Sequence, residues 1–280
     1  MKFNIATMIA PVAIALSMAA CNNQPATSAH TADSTATKPT ITEEAVAIQA
    51  DSVTLNSFAA FSSDTATKKP IVLIVPEWWG LGDYEKGRAK QLAELGYLAL
   101  AIDFYGGSKH ADNPEQAKAF ATPFYMNPQL GFGRLQAALA KAKTFPQADT
   151  TRIAAIGYCF GGSMVLNGAK LGLPVNGVVS FHGGLATVPP QKGLTKAQIL
   201  VCHGAADPFV PAQDVATFKK QLDSLSIPYT FKEYAGATHA FTNPASTANG
   251  KKFNMPIEYN AAADTASFND MRTFFGEIFK

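Results

Sequence analysis

Arg152-Ile-Ala-Ala-Ile-Gly157-Tyr-Cys159-Phe-Gly161-Gly162 is the stretch that decides the fold of this chain. It reads as a short apolar strand, a turn of small residues around one reactive side chain, and the start of a helix. Glycines on both sides let a strand-to-helix turn tighten until Cys159 adopts a strained backbone and presents its sulfur. The helix beyond would aim unpaired N–H groups and its positive dipole end at that sulfur, favouring thiolate and any oxyanion that develops there. This is the pattern of a nucleophile elbow with cysteine at its apex. A bare Gly-x-Cys-x-Gly can occur by chance, so the residues around it decide.

Outward from the elbow, strand and helix signals alternate. Upstream, Pro70-Ile-Val-Leu-Ile-Val75 and Tyr97-Leu-Ala-Leu-Ala-Ile102 are continuous apolar runs, as expected of strands covered on both faces. Val53 to Phe58 alternates and is expected to be an antiparallel edge strand. Asp83 to Leu95 has helical spacing and stops at Gly96. Pro114 to Lys143 reads as two helices broken near Pro123 and Pro128. Downstream come a helix from Gly161 to Leu171 and strands at Gly177 to Phe181 and Gln198 to Cys202. A helix from Ala212 to Leu225, a strand from Tyr229 to Tyr234 and a closing helix from Tyr259 to Phe279 complete the chain. Such repeated β-α units predict an α/β fold, a mostly parallel central sheet with helices on both faces. Reactive groups then collect at the carboxyl ends of strands, where Glu77, Cys159 and Asp207 all fall.

A cysteine nucleophile needs a base, and the base needs a holder. Asp207 follows the strand in Ile199-Leu-Val-Cys-His-Gly-Ala-Ala-Asp207-Pro, and His239 follows the last strand in Tyr234-Ala-Gly-Ala-Thr-His239-Ala-Phe. The order nucleophile, acid, histidine is that of the α/β-hydrolase arrangement, with Asp207 fixing the tautomer of His239. Duller readings stand beside these. Asp207 could close an Asx turn before Pro208. His182 and His203 also follow strands and compete with His239; His203 could order the loop holding Asp207, and His182 could line the pocket rim. Cys202, set among apolar strand residues, reads as core.

Four segments carry a family resemblance: Val75-Pro-Glu77-Trp-Trp-Gly80-Leu, Gly157-Tyr-Cys159-Phe-Gly161-Gly162, His203-Gly-Ala-Ala-Asp207 and Gly236-Ala-Thr-His239-Ala-Phe241. Together they resemble the dienelactone hydrolase (carboxymethylenebutenolidase-like) family, a branch of the α/β-hydrolases with a Cys-His-Asp triad. The likeness runs from about Val53 to the C-terminus. It implies that Glu77 contacts the resting thiol and helps to activate it, a role spacing alone would not show. It implies an oxyanion hole made by the backbone N–H groups of Phe160 and Trp78. Trp78 and Trp79 are expected in the pocket wall or the core, and Phe241, with His182, at the pocket lining. The resemblance also implies arginines that hold a substrate carboxylate. Asn243 stands at the place of one, and residues 104–133 contain no arginine for the other. A small neutral ester, lactone or thioester is therefore the expected substrate, cleaved through a thioester on Cys159. No cofactor and no metal are expected, since the histidines lack ligand spacing. A non-catalytic, ligand-binding envelope lipoprotein that keeps the fold is the alternative. A thiol redox protein is disfavoured by the lack of a Cys-x-x-Cys.

Bulk properties agree with one large domain. The chain has 280 residues, a formal charge of +2 and 47% hydrophobic residues, enough for a sizeable core and too evenly charged for a nucleic-acid partner. Its three cysteines do not form a disulfide framework. Lys2, the apolar stretch Ile5 to Leu16 and Ala19-Ala20 before Cys21 form an export leader, residues 1–20, too short to span a membrane. Leu16-Ser-Met-Ala-Ala-Cys21 resembles a bacterial lipoprotein signal with Cys21 as the lipidation site; an ordinary secretory signal is the alternative. Residues 21–45, rich in Ser, Thr and Ala, are expected to be a flexible tether, and residues 46–280 the hydrolase-like domain. The expected location is the cell envelope on the periplasmic side, with membrane contact only through the lipid.

Overall fold

The computed structural model describes residues 39–280. The leader, Cys21 and the segment as far as residue 38 lie outside the described residues. Eight strands form one sheet in the order β1-β2-β4-β3-β5-β6-β7-β8. The strands are β1 (Ile41–Ala50), β2 (Val53–Ser62), β3 (Lys69–Val75), β4 (Leu98–Ala101), β5 (Ala148–Tyr158), β6 (Gly177–Phe181), β7 (Gln198–Gly204) and β8 (Tyr229–Tyr234). From β4 through β8 every neighbouring pair is parallel, while β1 with β2 and β2 with β4 are antiparallel.

The two-residue period of the central strands sorts their side chains onto two covered faces. Ile71, Leu73 and Val75 of β3 meet Leu98 and Leu100 of β4 on one face, under α2 (Pro114–Met126), α3 (Pro128–Ala142), α4 (Phe160–Lys170) and α5 (Ala212–Ser224). Val72 and Ile74 meet Ala99 and Ala101 on the other, under α1 (Asp83–Glu94) and α7 (Ala261–Ile278), which contributes Met271, Phe274 and Phe275. Burial on both faces explains why these strands read as unbroken apolar runs. Gly96, at φ 90°, ends α1 as expected, its N–H bonding to the carbonyl of Ala93.

The structure corrects several expectations. Val53 to Phe58 belongs to β2, which is not an edge strand but lies between β1 and β4. The edge is β1, which starts at Ile41, inside the segment expected to be tether and ahead of the expected domain start at residue 46. Only Val46, Ile48 and Ala50 are buried in it, alternating with exposed residues, so its apolar signal is faint. Pro123 lies within α2 without breaking it, and the break between the two helices falls at Asn127, next to Pro128 as expected. A short helix unforeseen in the sequence, α6 (Ser246–Phe253), buries only Ser246 and Gly250 and so has almost no apolar stripe.

Candidate active site

One residue separates the end of β5 from the first turn of α4, and that residue is Cys159, at φ 52° and ψ −114°. Non-glycine residues avoid this conformation, and it persists only where surrounding structure enforces it. Two glycines make the enforcement possible. A Cβ on Gly157 would stand 2.1 Å from the carbonyl oxygen of Gly161, and a Cβ on Gly161 would stand 2.2 Å from that of Val75. The helix start is therefore pressed against the ends of β3 and β5, and the sulfur is turned outward, partly exposed.

His239 and Asp207 converge on that sulfur from the ends of β8 and β7. His239 Nε2 is 3.0 Å from Cys159 Sγ, and His239 Nδ1 is 2.8 Å from Asp207 Oδ2. Asp207 Oδ1 accepts the N–H of Phe209 at 2.8 Å, which fixes the carboxylate and leaves Oδ2 for the imidazole. Burial pulls the His239 imidazole down, but the charge on the Cys159 sulfur and the hydrogen bonds to Asp207 and Cys159 outweigh it and hold the ring up at about 10. The imidazole is thus disposed to carry the proton of the thiol. His203, the sequence-level competitor, packs against Phe231 at a ring distance of 5.6 Å, and the contact to Cys159 is made by His239.

Glu77 lies just beyond β3 and is buried, and its carboxyl accepts from Asn243 Nδ2 at 2.6 Å. The other oxygen, Oε1, has no hydrogen-bond partner. Burial, reinforced by the nearby Glu85 carboxylate, raises the Glu77 carboxyl to about 8. Its partner is Asn243 rather than the thiol contact that the resemblance implied. Asn243 was visible in the sequence only as a missing arginine; nothing in the spacing showed it as the residue that holds Glu77.

The turn carrying Trp78 is pinned on both sides. The N–H of Gly161 donates to the carbonyl of Pro76 at 3.1 Å, and the Tyr105 hydroxyl donates to that of Trp78 at 2.9 Å. Phe160, first residue of α4, has an N–H without an intrahelical partner. Trp78 and Phe160 line a cavity of about 400 Å³ together with Cys159, His239 and Glu77. Trp79 lines it as expected, with Tyr125, Phe209, Met255 and Ile257, which no sequence pattern had marked. No lysine or arginine is among its lining residues. His182 and Phe241 are corrections: neither lines the cavity and both are fully buried behind the site. The ring of His182, the first residue after β6, packs against those of Phe241 (5.2 Å) and His239 (5.5 Å). Cys202 is buried in the core, as expected. Among the described residues no group of three His, Cys, Asp or Glu side chains could hold a metal ion.

A mostly parallel sheet carrying an elbow at the end of β5 defines an α/β hydrolase. The family model of the dienelactone hydrolases matches residues 56–279, and the chain belongs to that family. A carboxymethylenebutenolidase of Pseudomonas putida is 26% identical over 161 residues, covering 55% of this chain and 67% of that protein. The crystal structure of a dienelactone hydrolase-like promiscuous phosphotriesterase from metagenomic libraries is 29% identical with a TM-score of 0.80, covering 85% of this chain and 99% of that one. The dienelactone hydrolase of Anabaena variabilis shares the fold at a TM-score of 0.60 and 20% identity, covering 84% of this chain and 98% of that one. The protein is a dienelactone hydrolase-like hydrolase.

Proposed function

We propose that this hydrolase cleaves small uncharged esters, lactones or thioesters through a thioester on Cys159. The observation that carries the reading is the continuous contact from Asp207 through His239 to Cys159, at 2.8 Å and 3.0 Å. Cys159 Sγ attacks the carbonyl carbon while His239 carries the thiol proton. The oxyanion rests on the N–H groups of Phe160 and Trp78, and His239 gives its proton to the leaving oxygen or sulfur as the tetrahedral intermediate collapses. Water then attacks the thioester, His239 takes its proton, and the acid leaves as the thiol is regenerated. Glu77 sits at the cavity wall beside the reacting centre. A cavity walled mainly by aromatic and aliphatic side chains, with no lysine or arginine among its lining residues, supports an uncharged acyl group over the carboxylate-bearing substrate that the resemblance implied. A neutral phosphotriester has the same charge, and the solved relative named for that activity makes paraoxon a worthwhile second probe.

The test is turnover of a p-nitrophenyl ester panel by the wild type, Cys159→Ala and His239→Ala. Both variants are expected to lose at least about 10³-fold in kcat/KM. Full activity in both removes the triad reading, and no turnover on any ester favours a binding protein that keeps the fold. Export and lipidation at Cys21 belong to the same proposal, supported by the residues around Ala20. Incorporation of labelled palmitate that is lost in Cys21→Ser is the expected result, and equal labelling of the two would refute it.

A further inference from the structure

We infer that His182 is a positioning residue that locks the nucleophile to its base, an inference that rests on the triad reading above. Its Nδ1 accepts the backbone N–H of Cys159 at 3.0 Å, an N–H it shares with the carbonyl of Phe181 at 3.0 Å. The acceptor role leaves the ring proton on Nε2, which donates to Thr242 Oγ1 at 2.7 Å. Thr242 lies three residues beyond His239, and its hydroxyl also bonds the Tyr84 hydroxyl of α1 at 2.7 Å. One imidazole thus bridges the main chain of the nucleophile and the loop that carries the base. It touches the base directly as well, ring to ring at 5.5 Å.

Backbone strain marks the same residue. His182 sits at φ 41° and Cys159 at φ 52°, two left-handed residues hydrogen-bonded to each other. The N–H of His182 is tied to the carbonyl of Cys202 at 2.8 Å, so β7 holds one side of this strained pair. Gly162 and Gly183 let the two segments come this close, since a Cβ on Gly162 would stand 2.8 Å from the Cα of Gly183. Paired strain of this kind is kept where it fixes geometry that the reaction needs. A protonated His182 could not accept from Cys159. Its ring stays neutral because burial, and then the charges of His239 and Arg88, hold its basicity well below the usual histidine range.

The experiment compares His182→Leu with His182→Asn. The two side chains have the same shape, but Asn keeps an acceptor where Nδ1 stands and tolerates a positive φ. His182→Leu is expected to lose about 10²–10³-fold in kcat with KM within about twofold, the signature of misplaced reacting groups. Its iodoacetamide alkylation profile at Cys159 should move to higher pH, because the imidazole no longer sits on the sulfur. His182→Asn should return to within about tenfold of the wild type. Wild-type kcat and an unmoved alkylation profile in His182→Leu overturn the inference, as do equal losses in both variants. If His182→Leu does not fold, Thr242→Val decides, since it unpins Nε2 without touching the strained backbone. It is expected to lose about tenfold in kcat and to move the alkylation profile upward; wild-type values for both overturn the inference. Alkylation needs no substrate, so it reads this contact even if ester turnover fails. Full activity in Cys159→Ala would instead remove the triad reading.

Discussion

Glu77 shows how one side chain can be legible in position and illegible in state. Its place after β3 follows from the apolar run Pro70 to Val75, and the family resemblance marks it for function. Its protonation depends on burial first, and then on Glu85 and Asn243, which no spacing rule connects to it. Burial, and then the Glu85 carboxylate, outweigh the hydrogen bond from Asn243, so its proton stays on to about pH 8. Two consequences follow in pH. Above pH 8 a new negative charge in the wall of the cavity that holds Cys159 opposes the oxyanion, so kcat/KM should fall on the alkaline side. That fall should be absent in Glu77→Gln, whose ester hydrolysis profile checks it; an unchanged alkaline limb would exclude Glu77 as its source. For stability, a buried acid with a raised value favours the folded state most at low pH. Below about 4.5 both states are protonated. Between that value and 8 only the unfolded chain releases the proton, so stability declines as pH rises through the window. Melting temperatures from pH 4 to 9 should decline less steeply in Glu77→Gln. Asp207→Asn belongs to the same scale: loss of the anion that orients His239 should lower kcat about 10²–10⁴-fold with the fold intact, measured by ester turnover and circular dichroism.

The β5–Cys159–α4 elbow was the element most fully written in the sequence, because its glycines are demanded by backbone contact and not by preference. Gly161→Ala would drive a Cβ into the carbonyl of Val75, backbone that cannot yield without disturbing β3. It should cost upward of about 3 kcal/mol or abolish soluble expression, as read by urea denaturation. Gly133, inside α3, has nothing within 4 Å of its Cβ position. Gly133→Ala should therefore stabilise by about 0.5–1 kcal/mol in the same assay. Elements with weak patterns were the ones misread. The β1 sequence Ile41-Thr-Glu-Glu-Ala-Val-Ala-Ile-Gln-Ala50 has one buried face, and its two glutamates are exposed, so it resembled the polar stretch before it. Helix α6, Ser-Thr-Ala-Asn-Gly-Lys-Lys-Phe, is placed by contact with the rest of the domain and not by amphipathicity. Cavity residues such as Tyr125, Phe209 and Met255 come from separate segments, and no local period records that they meet.

At the scale of the whole domain, polar side chains tie the helices of one sheet face to the loop that carries the base. Arg88 of α1 is the chief of these on the α1–α7 face. Its guanidinium donates to the Thr242 carbonyl at 2.8 Å, to the Tyr84 hydroxyl at 3.3 Å and to Asp264 of α7. Two helices and the loop after His239 are thereby joined at one side chain. Loss of the cation leaves the Asp264 carboxylate, whose side chain is 15% exposed, with a weak bond from Tyr259 at 3.3 Å. Stripping a buried charge of its partner is costly, whereas replacing both partners with apolar groups is often tolerated. Arg88→Met should therefore lose about 2–4 kcal/mol in urea denaturation, less than a fully buried pair because water reaches Asp264. Arg88→Met with Asp264→Leu should recover at least about half of that loss. Ester turnover should not recover in parallel. The tie to the Thr242 carbonyl stays broken in the double variant, and that carbonyl belongs to the loop which sets His239 against Cys159. Recovery of stability and kcat together would show that Arg88 serves the fold alone. Recovery of stability without kcat would place it in the frame that aligns the base.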